Sequence, residues 1–296
     1  MDLQGDAKEF LTSRRARITP DQAGLPAYGG KRRVPGLRRE EVAMLAGVSV
    51  DYYIRLERGN LSGVSDDVLE SIARALQLDE AEYEYLFDLA RRLPGSATGR
   101  MRSYPSSIRP VVYQVLDAIV DAPAWVRNAR HDLLAANRLA EALYSPMLAD
   151  PRRPANTARF TFLDPEAKIF FADWERAADD IAAMLRSEAG RHPHDKALSD
   201  LIGELTTRSP EFTKRWASHD VRFHRTGSKR LHHPVVGDMT LNFEAMTLSS
   251  DPELTLLVYT AEPGSSSADA LDMLASWAAS EPSESLHAGE GSPKGN

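Results

Sequence analysis

The sequence predicts two domains, an all-α domain followed by an α+β domain. Three observations predict this. The 296 residues suit two domains of roughly 100–200 residues each. Through Leu93, the regular apolar patterns have helical spacing. Beyond Pro105, helical stretches mix with segments whose apolar residues alternate, which is the period of a half-buried strand.

In the first domain, Phe10 to Arg17 predicts a short helix. Thr19 to Gly36 holds four glycines and three prolines, so it predicts an irregular segment. Leu37 to Arg58 predicts two helices interrupted at Gly47. Ser65 to Leu76 and Glu80 to Leu93 predict two amphipathic helices, with Ser65 and Asp79 as N-caps. Pro94-Gly95-Ser96-Ala97-Thr98-Gly99 has the composition of a linker. The expected boundaries are therefore 1–93 for the helical domain, 94–104 for the linker, 105–280 for the second domain and 281–296 for a disordered tail.

In the second domain, Ile108 to Val120 predicts a helix. Strand-like pieces, Trp125-Val126 and Leu133-Leu134, flank a polar turn at Ala129 to Asp132. Trp174 to Arg186 and Lys196 to Thr207 predict helices. Three strands are expected at Val221 to Arg225, Met239 to Thr247 and Leu254 to Ala261. Met239, Leu241, Phe243 and Ala245 share one face of the second. Consecutive strands should pair antiparallel, and Ala268 to Trp277 predicts a last helix.

The net charge of −7 hides a strong asymmetry. Lys8 to Arg58 carries eleven basic residues against six acidic ones, and Gly59 to Leu89 carries one basic residue against eight acidic ones. A cationic surface beside an anionic one orients a protein on a polyanion.

Leu37 to Gly59 is the decisive segment. Val42, Leu45 and Ala46 are expected on one helix face, and the small Ala43 lets a second helix cross closely. Gly47 supplies a turn where positive φ is cheap. Val48 fills the corner, Ser49 caps the second helix, Tyr53 and Leu56 face inward, and Gly59 ends it. This is the pattern of a helix-turn-helix, whose second helix enters the major groove. Val50, Asp51, Tyr52 and Arg55 then stand on the exposed face. Arg55 can pair bidentately with guanine. Asp51 can accept from a cytosine amine or orient Arg55, and Val50 and Tyr52 can meet a thymine methyl. Arg38, Arg39, Ser49 and Arg58 are the expected phosphate contacts, which set register without carrying sequence information. Glu57 is expected to pair within the domain.

These residues resemble the Xre/Cro-type helix-turn-helix. Arg14-Arg15-Ala16-Arg17, Pro35 to Ala43 and Tyr52 to Gly59 resemble more closely the MmyB-like regulators of actinobacteria. So do Trp125-Val126-Arg127-Asn128, Leu134-Ala135-Ala136-Asn137 and His233-Pro234-Val235-Val236-Gly237. The resemblance implies a bacterial transcription regulator with a PAS-like ligand-binding domain, acting as a homodimer on double-stranded DNA. It also implies no catalytic activity and no cofactor beyond a small apolar or fatty-acid-like effector. The loop with Lys31, Arg32 and Arg33 fits a basic arm reaching the backbone or minor groove. Trp125, Leu134, Phe162, Phe170, Phe171, Trp174, Trp216, Phe243, Met246 and Tyr259 offer enough bulk to line an apolar pocket. The ligand-binding candidates are Trp125, Arg127, Asn137, Phe162, Trp174, Phe243 and Tyr259, with Arg127 and Asn137 as polar anchors.

Other chemistries find little support. With no cysteine, the chain has no disulfide, thiolate metal site or cysteine nucleophile. It lacks a nucleophile elbow, a phosphate loop and a dinucleotide fingerprint. His192, His194, His219, His224, His232 and His233 do not have metal-ligand spacing. No apolar run approaches the roughly 18 residues of a membrane span, and Met1 to Phe10 lacks a signal-peptide core, so a cytoplasmic location is expected. Two other readings stay open: an enzyme that turns over its ligand, opposed by the missing motifs, and an adaptor whose helix-turn-helix binds protein, opposed by the basic run from Lys31 to Arg39.

Overall fold

The computed structural model describes residues 3–25, 34, 36–92, 108–192, 195–218 and 226–280. The expected linker and tail, the basic arm with Arg32 and Arg33, and the strand expected at Val221 to Arg225 lie outside the described residues.

The chain forms two compact units. The first contains α1 (Leu3–Arg17), α2 (Arg39–Ala46), α3 (Val50–Glu57), α4 (Asp66–Ala75) and α5 (Glu80–Arg92). Helix α1 starts earlier than Phe10 because Ala7, Phe10, Leu11 and Arg14 form one buried stripe at i, i+3, i+4 and i+7. Helix α5 is capped reciprocally. The Asp79 carboxylate accepts from Glu82 N at 2.9 Å, and the Glu82 carboxylate accepts from Asp79 N at 3.1 Å. Glu82 is buried and also takes a bidentate pair from Arg17, at 2.7 and 2.9 Å, which ties α1 to α5.

Ser65 takes the extended conformation of an N-cap, but its hydroxyl makes no capping bond. One expectation on α2 fails. Val42, Ala43 and Ala46 are buried, whereas Leu45 is 38% exposed. Helix α4 packs across α2 on the Val42–Ala43–Ala46 side, and 3.6-residue periodicity then turns Leu45 outward beside Met44.

The first unit also takes Ala182–Ile202 and Thr213–Phe223. Helix α11 (Trp174–Arg191) therefore ends among the helices of this unit. Arg191 pairs with Glu84 at 3.0 Å, Asp88 at 3.3 Å and Glu188 at 3.2 Å. A Cβ on Gly190 would stand 2.4 Å from the Tyr85 ring, so glycine permits this approach. The acidic stretch after Gly59 is thus partly neutralised from a distant part of the chain.

The second unit is built on a five-stranded antiparallel sheet of order β2-β1-β5-β4-β3. The strands are β1 (Ala124–Asn128), β2 (Leu133–Ala136), β3 (Thr226–His233), β4 (Gly237–Leu248) and β5 (Asp251–Thr260). Helix α6 (Pro110–Ala118) covers one face, where Val112 and Leu116 pack on Val126 and Leu256. The other face carries α7 (Arg138–Leu143), α8 (Ser145–Leu148), α9 (Thr157–Leu163), α10 (Ala167–Phe170), the start of α11 and α14 (Ser266–Ser280). Helices α12 (Lys196–Arg208) and α13 (Pro210–Trp216) complete the order. This is the expected α+β, PAS-like arrangement.

Strand β3 was not expected at Thr226–His233, because its residues are largely polar. It is an edge strand held by register with β4, from Thr226↔Glu244 to His233↔Gly237. The short connection closes on Gly237 at φ 76°. The polar turn between β1 and β2 is as expected. His131 takes φ 65° there, and buried Asp132 accepts from Asn128 at 2.9 Å and Asn156 at 2.8 Å.

Candidate nucleic-acid interface and ligand site

The helix-turn-helix is built from its turn outward. Gly47 adopts φ 68°, ψ 27°, and Val48 N donates to Ala43 O at 3.0 Å, which closes α2. Ser49 is the N-cap of α3, its hydroxyl accepting from Tyr52 N at 3.1 Å. Tyr53 and Leu56 are buried, and burial pushes the Tyr53 hydroxyl far above its usual range. Gly59 takes φ 89° just after the cap, where a Cβ would stand 2.2 Å from Gln4 O. The end of α3 is therefore pinned against α1.

Glu57 locks the three helices together. Its buried carboxylate accepts from Arg15 Nε at 2.5 Å and from Arg39 Nε. Arg15 also donates to Leu37 O at 2.9 Å. Arg39, expected at a phosphate, thus braces the motif with a half-exposed guanidinium.

Ser49, Val50, Asp51 and Arg55 form one exposed face, with Val50 41% exposed. Tyr52 is half-buried, and the Arg55 guanidinium lies over its ring at 5.2 Å. Asp51 makes no described ion pair with Arg55, so Tyr52 is what orients the arginine. Arg38 caps α2, its backbone N–H donating to Glu41 at 2.7 Å while its side chain stays half-exposed. Arg58 is exposed at the end of α3.

In the second unit, the inner face of the sheet gathers aromatic rings. Trp125 lies 5.3 Å from Tyr144, Tyr144 5.6 Å from Phe170 and 6.1 Å from Tyr259, and Tyr259 6.0 Å from Phe243. The Tyr144 and Tyr259 hydroxyls share a 2.8 Å hydrogen bond, and burial raises the pKa of Tyr144. Phe162 and Trp174 form a neighbouring pair at 6.5 Å, with Trp174 Nε1 donating to Thr161 O at 3.0 Å. Beside Phe170, a half-open groove of about 370 Å³ is walled by Pro146, Ile169, His232 and Pro234. That volume falls in the range of small-molecule sites.

Several expected lining residues point elsewhere. Leu134 packs on the opposite, α6-covered face of the sheet. Met246 is exposed, because alternation on β4 turns it away from Phe243 and Ala245. Trp216 lies in the first unit under Arg186, 4.1 Å from the guanidinium carbon. Asn137 is wholly committed to backbone. Its oxygen accepts from Ala124 N at 3.0 Å and Ala140 N at 2.9 Å, and its amide donates to Ile119 O at 2.6 Å and Ala122 O at 2.8 Å. It caps α7 and has nothing left for a ligand. Arg127 is nearly buried in β1 and donates to Asn128 O at 3.3 Å. Sequence reasoning missed Tyr144, because the short helices after Asn137 lack the length that makes a pattern readable.

A capped helix-turn-helix with an exposed recognition face, followed by an α+β domain with an apolar interior, defines a DNA-binding regulator that carries a ligand-binding domain. Residues 10–86 match a helix-turn-helix domain family. Residues 108–274 match the MmyB-like transcription regulator ligand binding domain. This match covers more than half of the chain, and the protein belongs to the MmyB-like transcription regulators. No curated protein matches it. Among the described residues, no helix is long and apolar enough to cross a membrane.

Proposed function

We propose that the protein is a cytoplasmic bacterial regulator that binds an inverted-repeat operator as a homodimer and responds to a small, lipid-like effector. The carrying observation is Arg55, exposed on α3 and stacked on Tyr52 in a pose set before any DNA arrives. Arg55 reads a guanine, Val50 and Tyr52 offer apolar contact to thymine methyls, and Asp51 accepts from a cytosine amine. Arg38, Ser49 and Arg58 meet phosphates, with Arg39 contributing its exposed edge and Arg32 and Arg33 acting as a basic arm. Two such faces on one side of a duplex need half-sites roughly 34 Å apart, or a multiple of that.

The DNA-binding domain is assigned to 1–93, the linker to 94–104, the effector domain to 105–280 and the tail to 281–296. Trp125, Phe243 and Tyr259 supply the effector's apolar surroundings, with Phe162 and Trp174 beside them and Arg127 at the rim. The domain binds its ligand and does not turn it over. A ligand shifts the operator equilibrium only by its differential affinity for two arrangements of the dimer.

Footprinting of the DNA upstream of the protein's own coding region, at several salt concentrations, tests the reading. A symmetric protected site with steep salt dependence is expected. Arg55→Ala should lose about 1–3 kcal/mol of discrimination at one base pair. Arg38→Ala should weaken all sequences alike and reduce the salt slope by about 1. An Arg55→Ala protein with unchanged sequence preference overturns the assignment of this face.

A further inference from the structure

The division between the two units falls inside one helix, α11, between Ile181 and Ala182. The first half of α11 belongs to the second unit and is amphipathic. Trp174, Ala178 and Ile181 are buried at i, i+4 and i+7, while Glu175, Arg176 and Asp179 are exposed. The second half belongs to the first unit and is buried on every side. From Ile181 to Gly190, every residue but Glu188 is buried. That half includes the charge of Arg186, which is 2% exposed. Its guanidinium carbon lies 4.1 Å from the centre of the Trp216 ring, it donates to Trp216 O, and it stands 3.7 Å from the Asp6 carboxylate of α1. Four residues on, Gly190 admits the Tyr85 ring, which meets Phe10 of α1 edge-on at 5.0 Å. Helix α1 in turn holds α3, through Arg15 on Glu57 and through Gln4 against Gly59. A buried charge adds less stability than a well-packed apolar side chain of its size. What the planar guanidinium adds is direction, since it fixes α11 against α1 and Trp216 at once.

We propose that α11 carries the state of the effector domain to the recognition helix, with Arg186 as the positioning residue at its DNA-binding end. The inference deepens the reading of a ligand-responsive regulator and rests on it. A slide or rotation of α11 that starts at Trp174 moves Arg186 and Gly190 with it, because the helix is hydrogen-bonded without a break from Trp174 to Arg191. Helix α1 follows through Asp6 and through Phe10 on Tyr85, and α3 follows α1. The coupling is reciprocal, so operator binding favours the matching state of the effector domain by the same factor.

Amide hydrogen exchange on the full chain tests this without DNA or effector, so its failure leaves the operator reading standing. Trp174→Phe removes the hydrogen bond to Thr161 in the second unit. It should lower the protection of the α1 and α3 amides about fivefold, the worth of that bond, although no residue there has changed. Ala182→Gly with Ala183→Gly softens α11 at the division without adding volume. In that background Trp174→Phe should still loosen α9 but leave α1 and α3 as they were. Arg186→Lys keeps the charge and loses the planar stack, so it should uncouple the two ends in the same way. It also carries the test where the double-glycine chain does not fold. The comparison uses amides that exchange faster than those of β5, which report local opening and not global unfolding. Two results overturn the inference: protection in α1 and α3 that Trp174→Phe does not change, or a loss that stays undiminished in either uncoupling background.

Discussion

Glu57→Ala tests how the recognition helix is held. The carboxylate is 2% exposed and joins α3 to Arg15 of α1 and Arg39 just inside α2. Removing it strands Arg15, whose side chain is nearly buried, without its counter-charge. Breaking a buried pair by deleting one partner costs about 3–5 kcal/mol. The Arg39 pair is half-exposed and adds little, about 0–1 kcal/mol. The expected loss is therefore about 3 kcal/mol, which lowers the melting temperature of a helical domain of this size by roughly 12–24 °C.

Calorimetry of the full chain reads the shift, and amide hydrogen exchange places the loss of protection in α1 to α3. Arg15→Met combined with Glu57→Met should cost much less than Glu57→Ala alone, because it removes both charges and keeps the volume. Operator affinity should fall with Glu57→Ala even though Glu57 is buried. Two results refute the reasoning: a melting shift of only a few degrees, or a double-mutant cycle between Arg15 and Glu57 that is additive.

The remaining predictions concern the second unit. Asn137→Asp places a carboxylate against the Ile119 and Ala122 carbonyls and removes two donors, so it should destabilise the domain by about 2–4 kcal/mol in urea unfolding. A folded variant of unchanged stability would contradict the four-bond account. His233 is buried, accepts from Val235 N at 3.2 Å and faces Ala142 O at 3.0 Å, an arrangement that fits the neutral ring. Burial lowers its pKa below 6.5. Above that value the ring is neutral in folded and unfolded chains alike. As pH falls below it the unfolded chain takes up a proton first, so stability declines until the folded ring also titrates. Thermal midpoints measured from pH 7 downward should fall, and His233→Gln should flatten the decline. An identical slope in the variant would assign the effect to other groups.

The helix-turn-helix was legible because its turn and its caps are local, whereas the Glu57–Arg15 lock and the outward turn of Leu45 were not. Gly47 must turn, Ser49 must cap, and Tyr53 and Leu56 repeat at helical spacing, all within one short stretch. The effector domain was legible only where its elements are long. Strands β4 and β5 announce themselves by alternation, whereas β3 exists because β4 offers it an edge. The helices from Arg138 to Phe170 are too short for periodicity to register, and with them went Tyr144.

Sequence alone determined the class of both domains and the two helices of the helix-turn-helix, since local spacing and capping chemistry decide those. Tertiary structure alone decided which polar groups are spent and which remain available. Arg39, Asn137 and Arg127 look free on a sequence, but partners distant in the chain or buried backbone claim them. A side chain's availability depends on who its neighbours are, and folding chooses those neighbours from the whole chain.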